Sequence, residues 1–204
     1  PNPIKETSFM EGKLEETNSP YAMAKISSIE IGRSLNKQFG NKVINLMPTN
    51  LYGPNDNFDR ESSHVIPGLI SKFINAKRES LDSVTCWGTG QPLREFMHVD
   101  DLASAILFCL EHWCPNDSIA PLDNEGNALT FLNVGTGLDI SIKDLSKLIA
   151  KITGFKGEIL WDTNKPDGTP QKLLDSEKIK SLGWAPIIKL EDGLKDTISY
   201  LLKN

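Results

Sequence analysis

Helix-like and strand-like segments alternate along this chain, and that alternation limits its fold more than any other feature. Apolar residues recur at helical spacing over 21–39, and Gly40 is a natural stop. A short strand pattern follows at 42–47. The same patterns predict further helices at 64–77, 100–113 and 141–153, and further strands at 83–87, 94–99, 130–134 and 158–161. Such alternation favours an α/β fold with a mostly parallel sheet.

One part of a dinucleotide-binding fold has no counterpart in the sequence. No predicted strand is followed by the glycine pattern G-x-G-x-x-G, whose turn and helix start hold a pyrophosphate. Gly135-Thr136-Gly137 lacks the third glycine at the required spacing, and the chain starts at Pro1 rather than at a methionine. We therefore expect that a dinucleotide enzyme is not complete within this chain.

The composition of the 204 residues is that of an ordinary globular protein, with 39% hydrophobic and 24% charged residues. The net charge of −5 argues against nucleic acid or an anionic membrane as a partner. No apolar run approaches the roughly 20 residues of a membrane span. The polar first ten residues do not resemble a signal peptide. Three cysteines do not make a disulfide framework, so we expect a cytoplasmic protein.

Tyr21 and Lys25 lie four residues apart on the first predicted helix, so their side chains share one face. A nearby ammonium stabilises a phenolate, as a tyrosine that acts as general acid or base requires. This spacing alone also occurs by chance on many amphipathic helices. The pair becomes informative only together with the segments around it.

Several further segments form a set with this pair. The sequence around the pair, Ser19-Pro20-Tyr21-Ala22-Met23-Ala24-Lys25, resembles the Tyr-x-x-x-Lys motif of extended short-chain dehydrogenases/reductases. The other members of the set are the runs 47–54 (MPTNLYGP), 63–67 (SHVIP), 87–90 (WGTG), 94–101 (REFMHVDD), 133–137 (NVGTG) and 165–170 (KPDGTP). Together they resemble the GDP-L-fucose synthase family within that superfamily. The resemblance runs from about Ser19 to the end, and 114–128 resembles a local insertion.

This resemblance implies a fold and a division of the chain. The fold is the carboxy-terminal part of a Rossmann-like doubly wound sheet plus a small α/β substrate-binding lobe, without the amino-terminal dinucleotide-binding strands. Residues 1–63 would be the remainder of the NADP-binding domain. Residues 64–204 would mainly form the substrate lobe, with the chain near 94–134 returning to the Rossmann sheet. The family also implies a homodimer.

The resemblance further implies an activity, the NADPH-dependent 3,5-epimerisation and 4-reduction of GDP-4-keto-6-deoxy-D-mannose to GDP-L-fucose. Tyr21, Lys25 and His64 would be catalytic, with His64 as the acid of the epimerisation. Its cysteine base and a serine would lie in a segment before Pro1. The NADP(H) positions would be Lys25, Pro48, Thr49, Asn50, Leu51 and His64. The GDP-sugar positions would be Lys72, Trp87, Arg94 and Asp167.

The residues alone leave ordinary structural roles open for most of these positions. A histidine at a helix start is more often a capping or surface residue, and Asp167 in Pro-Asp-Gly is a common turn residue. The group of His98, Asp100 and Asp101 is explained by a capped helix, and the family uses no metal, so we predict no metal site. Cys86, Cys109 and Cys114 read as structural cysteines.

Three alternatives to this function remain open at this point. The first is another nucleotide-sugar epimerase or dehydratase with tightly held NAD; the setting of His64 and the lack of an arginine before Asn50-Leu51-Tyr52-Gly53-Pro54 argue against it. The second is a non-catalytic nucleotide-sugar-binding module, in which Tyr21, Lys25 and His64 together would be unexpected. The third is a fragment that is inactive when expressed alone.

Overall fold

A computed structural model describes residues 1–59 and 62–203. The helices are α1 (Ser19–Phe39), α2 (Val65–Arg78), α3 (Val99–His112), α4 (Ile142–Thr153), α5 (Glu177–Ser181) and α6 (Leu190–Lys203). The strands are β1 (Asn45–Pro48), β2 (Asn50–Tyr52), β3 (Ser83–Trp87), β4 (Leu93–His98), β5 (Phe131–Val134), β6 (Asp139–Ser141), β7 (Glu158–Asp162) and β8 (Gln171–Lys172). Parallel pairs β1–β5, β2–β4, β3–β7 and β4–β8, with one antiparallel pair β4–β6, confirm the predicted α/β class.

The chain divides into two compact units. The first comprises Pro1–Thr49, Leu102–Gly137 and Leu174–Pro186, and the second comprises Asn50–Asp101, Leu138–Leu173 and Ile187–Asn204. The predicted division at residue 63 stays a prediction, because compactness alone does not assign a unit to cofactor or to substrate.

The first unit is organised around the parallel pair β1–β5 and the long helix α1. Gly40 ends α1 in a left-handed conformation with φ of 68°, which a glycine adopts without steric cost. The amino-terminal segment is fixed to β5 by a buried carboxylate. Glu6 is 2% exposed and accepts a hydrogen bond from the Asn133 N–H at 3.0 Å. Burial raises the pKa of Glu6, although this hydrogen bond partly offsets the effect.

The second unit contains a continuous apolar core between its helices and sheets. Helix α2 contributes Ile66, Ile70 and Phe73, which recur at helical spacing and are at most 1% exposed. The same core includes Leu145, Ile149, Leu194 and Ile198 of α4 and α6. Helix α4 starts at a defined cap, where the Ser141 hydroxyl accepts a hydrogen bond from the Asp144 N–H at 3.0 Å. The core therefore fixes the position of α2 relative to the strands beside it.

The segment 48–63 is rich in Asn, Asp, Gly and Pro, yet it contains the short strand β2. This strand pairs in parallel with β4, and Asn50 lies opposite Phe96 in the register. The Asn50 side-chain amide also donates to the Glu95 carbonyl at 2.8 Å. The tertiary partner β4 thus stabilises a strand in a stretch whose Asn, Gly and Pro content favours turns.

Two other predictions concern membranes and metals. In the described part of the chain, none of the helices has both the length and the apolar composition needed to cross a bilayer. Within residues 1–59 and 62–203, His, Cys, Asp and Glu side chains do not gather in groups of three that could hold a metal ion.

Candidate functional site

The second unit contains a cavity of about 380 Å³ that brings together five of the predicted site residues. It lies between the first half of α2, the end of β3, the start of β4 and the loop after β7. The predicted residues that line it are His64, Lys72, Trp87, Arg94 and Asp167. Its other lining residues are Ser63, Val65, Gly68, Leu69, Cys86, Gly90, Pro92, Ile142, Pro166 and Gly168.

His64 and Lys72 reach the cavity from one side of α2. They are eight residues apart, a little over two helical turns, with Gly68 midway between them. His64 is the exposed N-cap residue of α2 with extended backbone, and its carbonyl accepts a hydrogen bond from the Gly68 N–H at 2.9 Å. A Cβ at Gly68 would lie 2.9 Å from the Ser63 hydroxyl. Glycine at this position therefore lets the turn before α2 pack closely against the helix.

Trp87 presents an exposed ring at the end of β3, with two ammonium groups close to it. The residue is 67% exposed, which is unusual for a tryptophan without a ligand or partner. Lys72 Nζ lies 5.2 Å from the ring centroid and donates to the Thr85 carbonyl at 3.2 Å. Lys165 Nζ approaches the same ring at 5.5 Å from the loop after β7. The ring is thus placed in a locally cationic environment.

Arg94 supplies a further cation from the start of β4. Its Nη1 donates to the Leu93 carbonyl at 2.7 Å, which fixes the direction of the guanidinium. Burial lowers the pKa of Arg94, and the nearby Asp167 carboxylate acts in the opposite direction. Because the ordinary pKa of arginine is so high, the group keeps its charge and its fork of donors.

Asp167 is held by the turn that follows Trp87. Its Oδ1 accepts a hydrogen bond from the Thr89 N–H at 2.9 Å, and its Oδ2 accepts one from the Thr89 hydroxyl at 2.6 Å. These two hydrogen bonds, with a smaller effect of the Arg94 charge, hold the pKa of Asp167 below its ordinary value. Asp167 is thus an oriented carboxylate and the sole one among the lining residues that the structure describes.

Two glycines in this turn are required by their surroundings. Gly88 and Gly90 have φ values of 74° and 75°, in the left-handed region. A Cβ at Gly88 would collide with Asp167 Oδ1, and one at Gly90 would lie 2.5 Å from the Trp161 ring. The run Trp87-Gly88-Thr89-Gly90 therefore forms a tight turn whose backbone contacts the loop after β7.

Tyr21 and Lys25 lie on α1 in the first unit, as the four-residue spacing predicts. Lys25 Nζ is 5.5 Å from the centroid of the Tyr21 ring, and Tyr21 is 62% exposed. Pro20 occupies the first turn of the helix, where its missing N–H costs nothing. The pair is accessible, and the Lys25 ammonium lies over the Tyr21 ring.

The four predicted cofactor positions 48–51 begin at the last residue of β1 and continue into β2. Pro48 ends β1, and the Thr49 N–H donates to the Val134 carbonyl at 3.0 Å. Asn50 uses its side-chain amide to bond the Glu95 carbonyl, and Leu51 is half-buried in β2. The end of a strand in a parallel sheet is where α/β folds bind ligands.

Thr89, Lys165 and Cys86 were not predicted to be part of the site. Thr89 contacts Asp167, 78 residues away, a pairing that no local pattern indicates. Lys165 precedes the Pro-Asp-Gly motif, and its basic charge beside that motif was an available signal. Cys86 lines the cavity with its thiol 4.0 Å from the Ser146 hydroxyl, and burial raises the pKa of that thiol.

Comparison with known proteins gives consistent similarities. Residues 1–118 match the model of the NAD dependent epimerase/dehydratase family. The chain is 46% identical over 204 residues to "Probable GDP-L-fucose synthase 1" of Oryza sativa subsp. japonica. The aligned region covers 100% of this chain but 58% of the rice protein.

Two solved structures are similar as well. A GDP-6-OMe-4-keto-L-xylo-heptose reductase from C. jejuni is 35% identical with a TM-score of 0.89, over 100% of this chain and 66% of that one. A GDP-L-fucose synthetase from Naegleria fowleri bound to NADP is 28% identical with a TM-score of 0.85, over 100% of this chain and 62% of that one.

Proposed function

This chain belongs to the NAD dependent epimerase/dehydratase family, and we propose that it acts as a GDP-L-fucose synthase. The reaction is the NADPH-dependent 3,5-epimerisation and 4-reduction of GDP-4-keto-6-deoxy-D-mannose to GDP-L-fucose. The rice relative is named for this activity, and the chain spans 58% of its length.

The observation that carries the proposal is the cationic cavity of the second unit. Lys72 and Arg94 line it, Lys165 adds a third cation beside Trp87, and Asp167 contributes one negative charge. A diphosphate requires clustered positive charge, and a guanidinium can bind two of its oxygens at once. The exposed Trp87 ring offers a flat surface for a base or a sugar ring. These features fit a nucleoside-diphosphate sugar.

In the first stage His64 acts as the acid. The ketone at carbon 4 acidifies the hydrogens at carbons 3 and 5, so that a base can remove each proton and an acid can return one on the other face. His64 is exposed at the cavity edge, and an imidazole exchanges protons near neutral pH. We propose that it donates the proton that completes each inversion.

In the second stage Tyr21 and Lys25 act together at the oxygen of carbon 4. NADPH, when bound, supplies the hydride to that carbon. Tyr21 donates its phenolic proton to the oxygen, and the Lys25 ammonium, 5.5 Å from the ring centroid, stabilises the phenolate that remains. The exposure of Tyr21 and its small neighbours Ala22 and Ala24 leave room for a cofactor, which we propose is also bound by Lys25, His64 and residues 48–51.

The likeness to the C. jejuni reductase provides a second candidate, the reduction of a GDP-4-keto-heptose. That reaction uses the same hydride transfer and the same role for Tyr21, but it does not require the acid role of His64. The two candidates therefore differ in whether hydrogens at carbons 3 and 5 exchange with solvent.

The test is an assay of the full-length protein with GDP-4-keto-6-deoxy-D-mannose in deuterium oxide, with and without NADPH. We expect deuterium at carbons 3 and 5, NADPH oxidation and GDP-L-fucose as product. Tyr21→Phe should slow NADPH oxidation by roughly 10²- to 10⁴-fold while the exchange continues, and His64→Asn should slow the exchange. Undiminished NADPH oxidation by Tyr21→Phe contradicts its role. Turnover of a keto-heptose without exchange favours the second candidate.

We also propose that the protein is a cytoplasmic homodimer. Helix α1 exposes the apolar side chains of Met23, Ile31 and Phe39, which a second copy could cover. The three cysteines are buried free thiols, as suits a reducing compartment. Sedimentation equilibrium checks the assembly, and a monomer at micromolar concentration contradicts it.

A further inference from the structure

The loop that carries Asp167 is bonded to the turn after β3 by Thr89, a residue outside the predicted site, while its far end is held where the Pro170 carbonyl accepts from the Leu93 N–H at 2.8 Å. Thr89 donates to both carboxylate oxygens of Asp167, from its N–H at 2.9 Å and from its hydroxyl at 2.6 Å. The hydroxyl oxygen of Thr89 in turn accepts a hydrogen bond from the Gln91 N–H at 3.1 Å. The threonine is thereby oriented by its own turn while it bonds the loop.

The residues on either side of Asp167 lie against Arg94 and Trp87. Gly168 follows Asp167, and a Cβ there would lie 2.9 Å from Arg94 Nη2, so the loop backbone passes against the guanidinium. Lys165, two residues before Asp167, places its ammonium 5.5 Å from the Trp87 ring. Release of Asp167 would therefore loosen the middle of a loop that touches both Arg94 and Trp87, while the Pro170 carbonyl stays bonded to the Leu93 N–H.

We propose that Thr89 is a positioning residue for nucleotide binding, which holds Asp167 and thus keeps the loop 164–170 closed over the cavity next to Arg94 and Trp87. This role rests on the proposed binding of GDP in the cavity. Thr89 is not among the residues that line the cavity, so it acts through Asp167 rather than on the ligand. The close approach of Gly88 to Asp167 Oδ1 shows how tightly the turn and the loop pack.

The decisive variant is Thr89→Val, which keeps the shape of the side chain and the backbone N–H but removes the hydroxyl. Loss of one hydrogen bond to a charged carboxylate should weaken GDP binding about tenfold. Thr89→Ser retains the hydroxyl and should bind GDP as the unmodified protein does. Thr163→Ala, at an exposed threonine of the turn after β7, is the matched control and should leave binding unchanged.

A double-mutant cycle separates this role from a general loss of structure. If Thr89 acts only through Asp167, Thr89→Val should weaken binding no further once Asp167→Ala is present. With the keto-sugar substrate, Thr89→Val should raise KM and leave kcat within about twofold, because it affects binding and not the reacting groups. Multiplicative effects in the cycle, or a fall in kcat alone, contradict the proposal.

Hydrogen exchange provides a readout that needs no ligand. In Thr89→Val, backbone amides of 164–170 should exchange faster, and those of α4 should not change. Unchanged exchange in the loop, or GDP affinity within twofold of the unmodified protein, overturns the positioning role. If the unmodified protein does not bind GDP but the loop still opens in the variant, the proposed function and the nucleotide-binding role of Thr89 are wrong, while the loop attachment itself stands.

Discussion

Arg94→Met tests the energetic role assigned to the cavity. The change removes the guanidinium from the start of β4 and keeps a side chain of similar length. A hydrogen bond to a charged group contributes about 1.5–3 kcal/mol, which corresponds to roughly 10- to 150-fold in affinity. Because Arg94 is only half-buried, solvent screens part of its interaction with the diphosphate. We therefore expect an effect in the lower part of this affinity range, about 10- to 30-fold weaker GDP binding.

Two further variants make this measurement specific. Arg94→Lys keeps the charge but not the paired donors, so its GDP affinity should lie between those of the unmodified protein and Arg94→Met. Arg78→Met removes an exposed positive charge at the far end of α2, about 20 Å along the helix from His64, and should change affinity less than twofold. Titration calorimetry at two salt concentrations gives all four affinities. GDP binding by Arg94→Met within twofold of the unmodified protein would show that the guanidinium does not bind the diphosphate.

Two more predictions concern stability. Glu6 holds its proton more tightly in the folded chain than its ordinary pKa of 4.5 implies, so the free energy of unfolding should fall as pH rises from there through the raised pKa. Glu6→Gln should therefore be more stable than the unmodified protein near neutral pH and equal to it below the ordinary pKa, in urea unfolding; a less stable variant at neutral pH contradicts this. Asp101 is 1% exposed and accepts two backbone N–H groups, of Ile187 and Ile188, at 3.0 and 3.1 Å. Asp101→Ala should lower the free energy of unfolding by about 2–5 kcal/mol in the same assay. Asp100→Ala, at the exposed neighbour, should lower it by about 1 kcal/mol or less. Equal losses in the two variants would show that the buried hydrogen bonds of Asp101 do not stabilise the fold.

Local sequence patterns predict the helices and most of the strands, and sequence motifs predict the candidate site residues. The spacing of Tyr21 and Lys25 predicts a shared helix face, and 3.6 residues per turn is sufficient to place their side chains together. His64 and Lys72 reach the cavity by the same periodicity. Trp87 ends a strand that the alternation predicts, so its proximity to a ligand site is expected from the fold class, whereas Arg94 lies at the start of β4, where that rule does not apply.

Other features depend on contacts between distant parts of the chain. Asp167 and Thr89 are 78 residues apart, and the residues around each of them do not indicate that the two are hydrogen-bonded. The strand β2 forms because β4 pairs with it, although its Asn- and Pro-rich surroundings favour a loop. Glu6 is a charged residue in a polar segment, and its burial becomes understandable only with the Asn133 N–H beside it.

A crystal structure of the protein with GDP would show directly where the nucleotide binds. We expect the diphosphate within hydrogen-bond distance of Arg94 and Lys72, in the cavity beside Trp87, with Asp167 still bonded to Thr89. Density for GDP at any other place, with this cavity unoccupied, would contradict the assignment of the cavity as the nucleotide-sugar site.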